Sequence, residues 1–130
     1  MEVIGGKMAY KVLIVDDAMF MRAMIRDILV NSGKYEVVGE AANGEEAVAK
    51  FKDLSPDIIT MDIVMPQMDG IEATKEIIKL DSTAKIVMCS ALGQEALVIE
   101  SIAAGAKDFI VKPFSAEKVL KVMDAVINSN

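Results

Sequence analysis

Five short apolar runs, each followed by a stretch with helical periodicity, govern what this chain can fold into. They are KVLIV (Lys11 to Val15), YEVVGEA (Tyr35 to Ala41), IITM (Ile58 to Met61), KIVMCS (Lys85 to Ser90) and KDFIV (Lys107 to Val111). Runs of this length, rich in β-branched residues, form strands, and those apolar throughout suit strands buried on both faces. The polar second run suits a sheet edge. Between the runs, apolar residues recur at helical spacing: Met21, Met24, Ile25, Ile28 and Leu29, then Ala47, Val48, Phe51 and Leu54, then Ile71, Thr74, Ile77 and Ile78. After Ser115, a predicted cap, the same spacing returns at Val119, Val122, Met123, Val126 and Ile127. Strand and helix in alternation predict an α/β fold, a doubly wound parallel sheet of five strands with five helices over its two faces.

Turn residues fall where this reading needs them. Gly33, Asn43-Gly44, Ser55-Pro56, Pro66 and Asp69-Gly70 separate the elements, and the third helix is expected from about Gly70 to Leu80. A fourth helix, from about Gln94 to Ala104, is predicted to turn Ala96, Ile99 and Ala103 to the core. Val98 and Ile102 then form a neighbouring stripe which, with Phe109, is read as a partner-docking surface. Residues 1–8 are set aside as an N-terminal extension, with Met8 as an alternative start, and residues 9–130 are read as one domain.

Composition removes whole classes of chemistry. The chain has no histidine, which excludes histidine-based metal sites and any histidine general base, and its one cysteine, Cys89, lies in an apolar run. A formal charge of −6 argues against nucleic acid as a partner. No apolar run is long enough to span a membrane, so a soluble, cytoplasmic protein is expected. Ten methionines mostly follow helix core positions and read as gap-fillers.

Four of the five runs end in a reactive side chain: Asp16 and Asp17, Asp62, Ser90, and Lys112. In a parallel sheet those ends share one edge, so residues far apart in sequence become neighbours. Carboxylates at about 4 Å repel by roughly 4 kcal/mol per pair at an effective dielectric near 20, which calls for a cation. An all-oxygen donor set with room for water suits Mg²⁺, with Asp17, Asp62 and the Val64 backbone carbonyl as direct ligands and Asp16 acting through water. A carboxylate beside such a cation, a lysine and a hydroxyl can hold a phosphoryl group, with Asp62 as nucleophile. No GxxxxGK or GxGxxG is present to cradle a nucleotide, so the donor is expected to be another protein or a small acyl phosphate.

VDD near the start, MDIVMPQMDG in the middle, CSA later and KPF near the end resemble the receiver domain of two-component response regulators, over Lys11 to Asn130. The single-domain chemotaxis type is the nearest match. The resemblance implies a flavodoxin-like strand order 2-1-3-4-5, taken from the family and not from the residues. It also implies that Asp62 accepts a phosphoryl group from the phosphohistidine of a sensor kinase. Asp16 and Asp17 then serve a Mg²⁺ site, Lys112 contacts the phosphoryl oxygens, Ser90 is the switch hydroxyl and Phe109 the switch aromatic. Lys112-Pro113 is implied to be a cis peptide. Phe109 stands where chemotaxis members often carry tyrosine. Implied partners are the kinase, a downstream target (the flagellar switch in chemotaxis) and a phosphatase, with no enzymatic activity beyond the domain's own phosphorylation and dephosphorylation. A phosphorelay intermediate and a receiver cut from a DNA-binding regulator are alternatives within the family. A flavin-binding flavodoxin-like module is the alternative outside it, weakened by acidic loops and only 5% aromatic residues.

Overall fold

The computed structural model describes residues 3–4 and 7–129. Its five-stranded sheet is parallel throughout: β1 (Tyr10–Val15), β2 (Tyr35–Ala41), β3 (Ile58–Met61), β4 (Ile86–Ser90) and β5 (Asp108–Val111), in spatial order 2-1-3-4-5. The helices are α1 (Met19–Asn31), α2 (Gly44–Leu54), α3 (Gly70–Leu80), α4 (Glu95–Ala104) and α5 (Ala116–Ile127). Residues 1–8 had been set aside. Of these, Val3–Ile4 and Lys7–Met8 pair antiparallel, while 1–2 and 5–6 lie outside the described residues, as does 130.

The sheet buries both faces, as its apolar strands require. Leu13, Val15, Ile59, Met61, Ile86 and Met88 pack against α2, α3 and the end of α4, whereas Val12, Ile14, Ile58, Val87, Cys89 and Ile110 pack against α1 and α5. Odd and even residues of β1 therefore serve opposite layers, the two-residue alternation of a strand. Asn43, Asp69 and Ser115 cap α2, α3 and α5, their side chains accepting from the N–H of Glu46, Glu72 and Lys118. On α5 the buried residues are the five expected ones.

Two helices differ from the sequence reading. Met24 of α1 is 44% exposed, and Ile25 and Leu29, with half-buried Ile28 beside them, anchor that helix to the sheet. On α4, Ala96, Ile99 and Ala103 face outward; Leu97, Ser101 and Ala104 face the core instead. That helix is apolar almost all round, so periodicity could not choose its inner face. Ser101 is buried without penalty because its hydroxyl donates to the Leu97 carbonyl at 2.7 Å. Val98 is half-buried and Ile102 exposed, so the outer apolar surface of α4 is wider than the stripe read from sequence.

The chain leaves β3, turns through residues 62–69 and re-enters as α3 by a very close approach. The Gly70 N–H donates to the Ile63 carbonyl at 2.8 Å, and a Cβ on Gly70 would stand 1.9 Å from the Asp62 carbonyl oxygen. Gly70→Ala should therefore displace the backbone under Asp62 and destabilise the fold by about 3 kcal/mol, the upper end for overpacking. Urea denaturation checks this; a loss below about 1 kcal/mol would mean that the loop has room to shift.

Candidate functional site

The strand ladders run one residue past their strands, and this aligns the site. The N–H of Asp16 donates to the Ala41 carbonyl (3.0 Å), that of Asp62 to Val15 (2.9 Å) and that of Lys112 to Ser90 (2.8 Å). Asp16 and Asp62 thus sit side by side at the tips of β1 and β3. Lys112 starts two strands away, about 10 Å at ordinary strand spacing, and only a long side chain can return across β4 to the carboxylates. It does so: its Nζ lies 2.7 Å from Asp16 Oδ2 and 3.6 Å from Asp62 Oδ2.

One carboxylate oxygen from each of Asp16, Asp17 and Asp62 lies within 4.8 Å of the others. Asp16 is 1% and Asp62 8% exposed, whereas Asp17 faces solvent. Burial, with the neighbouring Asp16 charge, pushes the Asp62 carboxyl up to about 6, against the pull of Lys112 and of the Ile63 N–H, which donates to Asp62 Oδ1 at 2.9 Å. Burial alone would lower Lys112, but its hydrogen bond to Asp16 and the charges of Asp62 and Asp16 outweigh that and hold it above its ordinary value. Beneath the site, burial raises the Cys89 thiol to about 12, so it is an inert core group.

Three carboxylates facing one ammonium leave two negative charges uncompensated. A hard divalent cation fits that donor set: oxygen ligands, one of them solvent-facing, on an open edge where water completes the coordination. The structure brings Asp16, Asp17, Asp62 and Lys112 together. Val64 follows Asp62 in the loop with its side chain 61% exposed. Ser90 is buried, its hydroxyl accepting from the Leu92 N–H at 3.2 Å, and so is turned toward its own loop. Phe109 is half-buried against the α2–α4 layer, and Lys112-Pro113 is cis.

Arg22 and Glu40 were not read from sequence as part of this region. Arg22 Nη1 donates to the Asp16 carbonyl at 2.7 Å and its Nε to Glu40 Oε1 at 3.0 Å. The signal available was an arginine in the first turn of a helix that starts beside two aspartates.

A family model, the response regulator receiver domain, matches residues 12–124. Chemotaxis protein CheY of Bacillus subtilis is 60% identical over 121 residues, 93% of this chain and all of that protein. The Thermotoga maritima protein of the same name is 61% identical, covering 92% of this chain and 98% of its own length. Among solved structures, a chain in the CheX-CheY-BeF3-Mg²⁺ complex from Borrelia burgdorferi superposes with a TM-score of 0.89 at 43% identity, covering 92% of this chain and 90% of that one. The chain belongs to the response regulator receiver domain family. Within it, these relatives place the chain among CheY-like chemotaxis regulators; nothing favours the flavin-binding alternative.

The raised Asp62 value has a measurable cost to the fold. Folded Asp62 keeps its proton to about pH 6, an unfolded chain only to about pH 4. Stability should then fall as pH rises through that window, by about 3 kcal/mol at most, with the full cost present at neutral pH. In EDTA, Asp62→Asn should raise the urea midpoint at pH 7.5 and lose the advantage near pH 4. A destabilised Asp62→Asn at pH 7.5 would show that the attraction of Lys112 outweighs burial.

Proposed function

We propose that this domain takes a phosphoryl group from a sensor-kinase phosphohistidine onto Asp62 and then presents an altered α4–β5–α5 surface to a target, in chemotaxis. The observation that carries this reading is the buried Asp62 carboxylate, set 3.6 Å from Lys112 and clustered with Asp16 and Asp17. Ionised above about pH 6, Asp62 is a nucleophile at neutral pH. As its oxygen bonds to phosphorus, the bond from phosphorus to the donor nitrogen breaks, and the leaving imidazole carries away that electron pair. Lys112 swings from Asp16 toward the arriving oxygens and offsets their charge. Asp16, Asp17, Asp62 and the Val64 carbonyl would hold Mg²⁺, which when bound supplies the remaining positive charge for the transferring group. The domain's only catalysis is on itself, its own phosphorylation and dephosphorylation.

The target-facing change follows from Ser90. Its hydroxyl turns from Leu92 to the new phosphoryl oxygens, and half-buried Phe109 moves into the vacated space. The docking surface then comprises Val98, Ile102 and Phe109, widened by the outward Ile99. The Borrelia structure holds its CheY in complex with CheX, which supports a further protein partner for this domain, the place a phosphatase would take.

Incubation with acetyl phosphate and Mg²⁺ should add one phosphoryl group by intact mass, lost with EDTA and absent in Asp62→Ala. An unchanged mass, or a group retained in Asp62→Ala, would overturn the assignment. Two charged hydrogen bonds at about 1.5–3 kcal/mol each fall near or short of the roughly 5.5 kcal/mol needed to carry a population from 1:99 to 99:1. The phosphorylated protein alone should therefore show two exchanging states by relaxation NMR until target is added. A single locked state without target would contradict this.

A further inference from the structure

Besides the Lys112 contact at Oδ2, Asp16 is held at three further atoms. Its N–H donates to the Ala41 carbonyl (3.0 Å), its Oδ1 accepts from the Ala18 N–H (2.9 Å), and its carbonyl accepts from Arg22 Nη1 (2.7 Å). That carbonyl belongs to the planar peptide unit joining Asp16 to Asp17, so whatever fixes it also fixes where the Asp17 side chain departs from the backbone. Asp17 needs this. Its carboxylate faces solvent and has no hydrogen bond among the described residues, so nothing but its backbone aims it at the other two acids.

Arg22 is built for the task. Its side chain is only 15% exposed, and the Glu40 carboxylate holds the guanidinium by its Nε at 3.0 Å, leaving Nη1 for Asp16. Glu40 immediately precedes Ala41, the residue that receives the Asp16 N–H. The two sides of Asp16 are thus tied to adjacent residues of one strand, once directly and once through Arg22. A planar fork can meet both partners at once, which a single ammonium cannot match. Arg26 provides the natural comparison: it bonds the same carboxylate, is 44% exposed and makes no hydrogen bond to Asp16.

We infer that Arg22, oriented by Glu40, is a positioning residue for the cation site, holding the Asp16–Asp17 peptide so that both carboxylates face Asp62. This rests on the reading of Asp16, Asp17 and Asp62 as a Mg²⁺ site.

The sign of the effect distinguishes positioning from charge. Removing a nearby positive charge should, by the loss of Coulomb repulsion alone, strengthen cation binding. Positioning demands the opposite. Groups that hold a metal ligand in place are typically worth about 10- to 100-fold in affinity, and one acting through the backbone belongs at the lower end. Mg²⁺ titration of the full chain by calorimetry, without phosphodonor, should show Arg22→Met binding about tenfold more weakly than wild type. The Mg²⁺ concentration giving half-maximal phosphorylation from acetyl phosphate should rise by the same factor. Arg26→Met, which removes an equal charge from the same Glu40, should leave both within about twofold, while the melting temperature falls alike in both variants. Unchanged or tighter Mg²⁺ binding in Arg22→Met, or equal weakening in both variants, would overturn the inference. A wild-type chain that binds no Mg²⁺ would instead remove the underlying site reading, and this inference with it.

Discussion

Repulsion among three carboxylates at the tips of two adjacent strands is the constraint around which the rest of this molecule is arranged. Left alone, each pair at such spacing costs several kcal/mol, and among the described residues one ammonium, that of Lys112, opposes it. The fold withstands it because the backbone of the acids is locked: Asp16 and Asp62 continue the hydrogen-bond ladder, and α3 begins so close to Asp62 that glycine is required. What remains uncompensated adds to burial in raising the Asp62 carboxyl and leaves a standing affinity for positive charge. The same unfavourable electrostatics that weaken the folded state give the site its chemistry.

Much of this architecture was legible in sequence because parallel sheets leave a strong imprint. Runs such as IITM and IVMCS are buried throughout, as continuous apolar strands must be, and α5 shows all five of its expected inward residues. The gathering of Asp16, Asp17, Asp62 and Lys112 also followed from topology, since a parallel sheet brings every strand's carboxyl end to one edge. Strand order did not follow from the residues. It came from family resemblance, because no local pattern states which neighbour a buried strand chooses.

Where the reading failed, physical information was missing. Helix α4 is apolar on nearly every side, so Ala96, Ile99 and Ala103 looked as inward as Leu97, Ser101 and Ala104, and a buried serine satisfied by its own helix gave no sign in advance. Arg22 gave no sign of its place because its two partners, the Asp16 backbone carbonyl and Glu40 of β2, become its neighbours only on folding.

Capping differs among the helices that border the site. Helices α2 and α3 begin with a side chain closing the first turn, as does α5, and α1, which lacks such a closure, is tied instead through Ala18 and Arg22 to Asp16. Helix α4 begins at Gln94 with no side-chain closure, after an exposed loop that leaves β4 at Ser90. Its first turn is held by backbone hydrogen bonds to the Gln94 carbonyl alone, so of the helix starts on this edge it has the fewest side-chain ties to lose.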